Sequence, residues 1–169
     1  MEQVREQREA TLELYGGGPL LDALEGLARE RPWLTLGGAR SWEEIQAIQG
    51  SAHVCLSTSL RDATQIAILE PLARGVPVVS TRVGDALGYY ARGLQRFCVE
   101  PGDPEAAAEA IVALAQSYDR SRSRFEVNAQ ELVRRHREGA QRLAELLQPH
   151  GDRANGARRT GTRAELPVT

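Results

Sequence analysis

Thr58 to Gly84 reads T-S-L-R-D-A-T-Q-I-A-I-L-E-P-L-A-R-G-V-P-V-V-S-T-R-V-G, and this stretch decides the fold. Asp62 and Glu70 stand with seven residues between them around a loop-to-helix junction, and Val76 to Ser80 has the pattern of a β-strand directly afterwards. Carboxylates at such a junction are placed to accept hydrogen bonds from hydroxyl groups. The helix start between them offers backbone N–H groups to an anion. Pro71 complicates the helix, because an interior proline costs about 3 kcal/mol. The helix is therefore expected either to start late, near Leu69, or to begin earlier and bend at Pro71. Gly75 is the expected C-terminal stop.

Working outward, short apolar runs alternate with amphipathic helical patterns. Thr11 to Tyr15 predicts a strand, followed by the turn Gly16-Gly17-Gly18-Pro19. Pro19 to Arg29 predicts a helix with Leu20, Leu24, Leu27 and Ala28 on one face. Trp33 to Leu36 predicts the next strand. Ser41-Trp42-Glu43-Glu44 has the form of a capping box, opening a helix that buries Ile45 and Ile48. His53 to Ser57 is the strand that feeds the Thr58 stretch. Beyond it, Gly84 to Arg92 predicts a weak helix, and Phe97 to Val99 a last strand. Asp103-Pro104 opens a helix with Ala107, Ile111, Leu114 and Tyr118 at helical spacing. Phe125 to Leu147 predicts a long helix with Phe125, Ala129, Leu132, Val133, Ala140, Leu143 and Leu147 on one stripe. Arg120, Arg122 and Arg124 are expected in a solvated linker before it. A domain over residues 1–150 and a disordered Gly/Arg/Thr-rich tail over 151–169 follow from this pattern.

Alternating strands and helices argue for an α/β fold, a Rossmann-like parallel sheet with helices on both faces. Ligands of such sheets bind at the carboxyl ends of the strands. Gly16–Gly18, Gly37–Gly38, Thr58–Gln65 and Thr81–Asp85 all fall at those ends.

The 169 residues are enough for one domain with a real core, and their formal charge of -2 argues against a nucleic-acid binder. All 21 basic residues are arginine. Without lysine there is no Walker-type phosphate loop and no Schiff-base chemistry. Cys55 and Cys98 lie in apolar segments and are expected as buried free thiols. No metal site and no cofactor are expected. No apolar run is long enough to span a bilayer, and Met1 to Ala10 is almost entirely charged or polar, so a cytoplasmic location is expected.

The motifs as a set resemble the C-terminal half of family-4 glycosyltransferases of the GT-B fold. The family's G-x-G-P turn corresponds to Gly16-Gly17-Gly18-Pro19. Its acidic pair with seven intervening residues corresponds to Asp62 and Glu70, followed by Gly75-Val76-Pro77-Val78-Val79 and the turn Val83-Gly84. Pro101-Gly102-Asp103 before a helix also matches. The resemblance covers roughly Leu12 to Ser117. It implies a donor-binding domain that takes part in moving a glycosyl unit from a nucleotide sugar to an acceptor hydroxyl, with retention. Glu70 would accept from the ribose hydroxyls. Asp62, assigned as the catalytic residue, would hold a hydroxyl of the donor sugar. Backbone groups of Ala63, Thr64, Gln65 and Ile66 would face the sugar and diphosphate. Gly16 and Gly18 would border the donor, and Arg40 the base. The nucleotide sugar is a substrate, and a separate N-terminal acceptor domain is the expected partner.

Departures from the family accompany the match. Ala63-Thr64-Gln65 replaces the usual Gly-Phe-Gly, and Asp62 is one methylene shorter than the usual Glu. Leu60-Arg61-Asp62 is closer to the trehalose-phosphate synthases. The family's first strand, central in its sheet between those matching Thr11–Tyr15 and His53–Ser57, has no counterpart. Either these two strands pair directly, or another chain supplies the strand, or the sequence is a fragment of a longer protein; a truncated or split form, or decay from a full enzyme, is the reading preferred. The competing function is a non-catalytic α/β binding or regulatory module derived from a glycosyltransferase. A dinucleotide-binding fingerprint is excluded because Leu21 takes the place of its third glycine. Arg61 and Arg82 are read as surface residues, and Trp42 as a packing residue at a helix start, with base stacking as its alternative.

Overall fold

The computed structural model describes residues 1–146. The expectations placed on the tail over 151–169, and on Leu147, lie outside the described residues. The chain divides into two units, Met1–Val133 and a second from Arg134 onward.

The first unit begins with a short helix, α1 (Glu2–Arg5), followed by β1 (Leu12–Tyr15), α2 (Leu21–Glu30), β2 (Leu34–Gly38), α3 (Trp42–Ser51), β3 (Cys55–Ser57), α4 (Ile66–Ala73), β4 (Val78–Thr81), β5 (Cys98–Val99) and α5 (Pro104–Gln116). Two 3-10 turns, Ala86–Tyr89 and Gln95–Phe97, lie between β4 and β5. Helix α6 (Tyr118–Leu146) runs from this unit into the second. The expected weak helix after Gly84 is thus only a 3-10 turn.

The strands form two parallel sheets flanked by helices. One holds β1 and β2, paired from Leu12 with Leu34 to Tyr15 with Gly38. The other runs β3-β4-β5, with Cys55 opposite Val78 and Thr81 opposite Val99. Strands β1 and β3 are not paired with each other, so of the three outcomes expected for the missing central strand, direct pairing is not realised.

Local signals explain most of the boundaries. Ser41 Oγ accepts from the Glu44 N–H at 3.2 Å while Glu44 Oε2 accepts from the Ser41 N–H at 2.7 Å, completing the capping box of α3. Asp103 caps α5 through the Ala106 N–H at 2.9 Å. Helix α4 starts early, at Ile66, and carries Pro71 inside it. It ends in a Schellman motif: the Gly75 N–H donates to Leu72 O, the Val76 N–H to Pro71 O, and Gly75 takes φ +76°. Helix α6 starts at Tyr118, one to two turns before the expected Phe125, because Ser121 and Phe125 already face the core. Arg120, Arg122 and Arg124 therefore stand on the exposed side of its first turns rather than in a linker.

Burial is uneven. Ile68, Leu72, Val78, Val79, Leu94, Phe97, Leu114, Phe125 and Leu132 build one core around β4, whose four residues are all buried. Helix α2, by contrast, has no buried residue, and Leu20 caps it at 70% exposed instead of joining an apolar face. Strands β1 and β3 carry half-buried and exposed residues only.

Candidate functional site

Both acidic residues of the deciding stretch lie beyond the carboxyl end of β3, but in different surroundings. Asp62 belongs to the exposed loop between β3 and α4. Glu70 is the fifth residue of α4, about 6 Å of helical rise beyond Ile66. That places it past the first turn, where a bare interaction with the helix dipole is already weak.

Glu70 is half-buried and has a partner that sequence reasoning did not supply: Trp42 Nε1 donates to Glu70 Oε1 at 3.1 Å. Trp42 is 60% exposed, so it is not the packing residue expected. Helices α3 and α4 touch, and the Arg74 guanidinium on α4's C-cap donates to Gln49 on α3. This contact ties the segment carrying β1 and β2 to the one carrying β3 and β4. It brings Trp42, two residues after Arg40, beside Glu70. Arg40 itself is exposed at the end of β2, its Nη1 3.5 Å from the Ala39 carbonyl.

The loop after Asp62 is fixed from beneath. Gln65 is 1% exposed, and its side chain accepts from Ser57 Oγ at 3.0 Å and donates to Thr81 O at 3.1 Å and Val83 O at 3.4 Å. It thereby brackets the ends of β3 and β4. Gly84, at φ +55°, lies directly under the Asp62 and Ala63 carbonyls, where a Cβ would run into both. The Asp85 N–H donates to Ala63 O at 3.2 Å, and Asp85 Oδ2 accepts from Thr64 Oγ1 at 3.3 Å and from Tyr89 OH at 2.5 Å. Burial, then the Asp85 hydrogen bond, pushes the Tyr89 phenol up to about 12. Thr64, Asp85 and Tyr89 form a latch over the loop that no spacing in the sequence announces.

With the loop held this way, the start of α4 presents donors. The N–H groups of Ala63, Thr64, Gln65 and Ala67 have no acceptor among the described residues. The Ile66 N–H, also expected to face a ligand, instead donates to Thr64 O at 3.0 Å in a tight turn around Gln65, whose φ of -82° and ψ of 79° are those of an inverse γ-turn. On the first sheet, Gly16 at φ +124° and Gly18 at φ +152° shape the turn after β1, and the Gly16 N–H donates to Gly38 O at 2.8 Å. The Tyr15 ring lies over Gly37, filling the space of a Cβ. Arg82 is occupied by Glu100 at 2.9 Å, whereas Arg61, beside Asp62, is exposed.

The geometry therefore offers, on successive elements, an exposed carboxylate, a row of backbone donors at a helix start, a second carboxylate and an aromatic plate. Residues 1–117 match the family described as Glycosyl transferases group 1. A curated relative, D-inositol 3-phosphate glycosyltransferase of Corynebacterium urealyticum, is 32% identical over 105 residues, covering 62% of this chain and 25% of the relative. Among solved structures, Anabaena Alr3699/HepE in complex with UDP superposes with a TM-score of 0.67 at 19% identity, over 85% of this chain and 43% of that one. Sucrose-phosphate synthase from Thermosynechococcus elongatus gives 0.69 at 21% identity, over 86% and 39%. These likenesses carry the fold, and the chain spans less than half the length of each of these proteins.

Proposed function

The chain belongs to the glycosyl transferases group 1 family, and from that premise we propose that it is the nucleotide-sugar-binding part of a retaining glycosyltransferase. The observation that carries the reading is the start of α4, where backbone donors without acceptors among the described residues lie between Asp62 and Glu70. A diphosphate brings several acceptor oxygens and negative charge, which those N–H groups and the positive end of the helix suit. Arg61 adds positive charge at the same edge. Glu70 takes the ribose hydroxyls, and Asp62 takes a hydroxyl of the transferred sugar, since an ionised carboxylate offers only acceptors. Gly16, Gly18 and Arg40 border the donor from the β1 and β2 side.

In this reading the leaving diphosphate is stabilised as its bond to the sugar breaks, by donors already in place before the reaction. The acceptor hydroxyl is presented by a separate domain, and the assembly works in the cytoplasm. The edges of β1 and β3 that are unpaired among the described residues, and the half-exposed residues on these strands, support a partner segment beside them. That HepE has been crystallised with UDP supports the choice of a uridine nucleotide as the first probe.

Calorimetry with UDP- and GDP-sugars tests the reading. Binding that falls at least about tenfold in Glu70→Ala is expected, as for loss of hydrogen bonds to a charged group. No binding by the wild type, or equal binding by the variant, contradicts it. A second reading, a non-catalytic module of the same ancestry, is favoured by one observation: the loop after Asp62 lacks glycine and is latched by Asp85. Nucleotide binding without sugar transfer, when the chain is supplied with its acceptor domain, would select that reading.

A further inference from the structure

The hydrogen bonds of Asp85 decide which way the peptide planes after Asp62 face. The Asp62 and Ala63 carbonyl oxygens both turn toward Gly84, and the Asp85 N–H donates to Ala63 O at 3.2 Å. No cis peptide bond occurs among the described residues. In a trans peptide the N–H points opposite to the C=O of the same plane. The Ala63 N–H shares its plane with Asp62 O, and the Thr64 N–H shares its plane with Ala63 O. Both N–H groups therefore point away from the Gly84–Asp85 turn, and neither has an acceptor among the described residues.

Packing does not hold that orientation, because Arg61, Asp62, Ala63 and Thr64 are all exposed. Hydrogen bonds do. Thr64 Oγ1 and Tyr89 OH donate to the same oxygen, Asp85 Oδ2, at 3.3 and 2.5 Å. Tyr89 is 8% exposed, and its carbonyl accepts from the buried Asn128 at 3.0 Å, so the core anchors Asp85. Resting on the reading above, we propose that Asp85 is a positioning residue: through Thr64, Tyr89 and its own N–H it keeps the Ala63 and Thr64 N–H groups aimed outward at a diphosphate. It does for a loop without glycine what backbone freedom alone would not, since donors fixed before binding lose little freedom when the anion arrives. Its carboxylate serves as a hydrogen-bond acceptor, a role that an amide oxygen also fills.

Two probes separate positioning from a merely structural role: UDP, and uridine, which lacks the phosphates. Asp85→Ala is expected to bind UDP about tenfold more weakly by calorimetry, and uridine as wild type does. Asp85→Asn, which keeps an acceptor oxygen for Thr64 and Tyr89, is expected to stay within about threefold of wild type for UDP. Backbone order parameters at Ala63 and Thr64 are expected to fall from about 0.85 to below about 0.6 in Asp85→Ala and to be kept in Asp85→Asn. Equal weakening of UDP and uridine in Asp85→Ala overturns the proposal, because the change would then act on the fold as a whole. Wild-type affinity for UDP in Asp85→Ala, while Glu70→Ala is impaired, also overturns it and leaves the nucleotide site standing. So does an Asp85→Asn variant as weak as Asp85→Ala, because the charge and not the hydrogen bonds would then matter. If wild type does not bind UDP, or Glu70→Ala binds it as wild type does, the underlying nucleotide reading fails and the positioning role with it.

Discussion

Glu70 and Gly84 show how individual residues set up the candidate site. Glu70 lies deep enough along α4 for its side chain to meet a different helix, where the Trp42 indole N–H donates to it. Gly84 is needed for a different reason. Its backbone sits at φ +55° under two carbonyls, so Gly84→Ala combines a left-handed conformation with a backbone clash. We expect that variant to lose about 2 kcal/mol or more of stability in urea titration, and to disturb the Asp62 loop that rests on it. The Tyr89 phenol gives a test by pH. Its folded pKa, raised by burial and then by the Asp85 hydrogen bond, is about 12 against an ordinary 10.0. A group whose pKa is raised on folding stabilises the native state fully below its unfolded pKa. That contribution is lost as pH rises through the window from about 10 to about 12. Burial raises the Tyr90 phenol in the same direction and pushes the Cys55 thiol up to about 11. Urea midpoints are therefore expected to fall steadily above pH 9, and less steeply in Tyr89→Phe. A flat profile between pH 9 and 12 would contradict the buried phenols.

At the scale of elements, α6 does more than cover the core. Asn128, buried on it, accepts from the Ala91 N–H at 2.6 Å and donates to Tyr89 O at 3.0 Å, and so fixes the segment that carries the Asp85 latch. Asn128→Ala leaves both backbone groups without partners, and a loss of about 2–4 kcal/mol is expected by thermal or urea unfolding. The sequence shows the ends of helices well where a side chain makes the cap: Ser41 with Glu44, Asp103 before Pro104, and Gly75 after α4 are each decided within a few residues. It does not show the start of α6, because Tyr118 to Arg124 is polar and its inward residue, Ser121, is a serine. Nor does it show Gln65 as a bracket, since a buried glutamine is recognisable only once β3 and β4 lie side by side. The Trp42–Glu70 bond spans 28 residues of sequence and depends on the contact between α3 and α4, so spacing alone carries no trace of it. The acidic pair, in contrast, was visible from spacing; what tertiary structure adds is that its two members do unlike things.

Across the first unit as a whole, stability is concentrated around β4. The second sheet is backed by a closed cluster of apolar side chains, whereas β1, β2 and α2 bury very little and β1 has β2 as its sole strand neighbour among the described residues. Hydrogen exchange is therefore expected to be markedly faster at Leu12–Tyr15 and Leu34–Gly38 than at Val78–Thr81, because local opening there exposes little apolar surface. Equal protection of the two sheets would contradict this division. A partner strand or domain placed against β1 and β3 should slow the first group selectively. Such unevenness suits the proposed donor site, whose firm half would hold the backbone donors of α4 and Glu70 and whose looser half would bring Arg40 to it. In the proposed function one nucleotide lies across these elements. Titration of the isotopically labelled chain with UDP, followed by amide and indole chemical shifts, tests it most directly. Concerted, saturable shifts at Ala63 to Ala67, at Glu70 and at the Trp42 indole N–H are the result predicted. Saturable shifts confined to other elements, or none at any concentration of UDP, would contradict it.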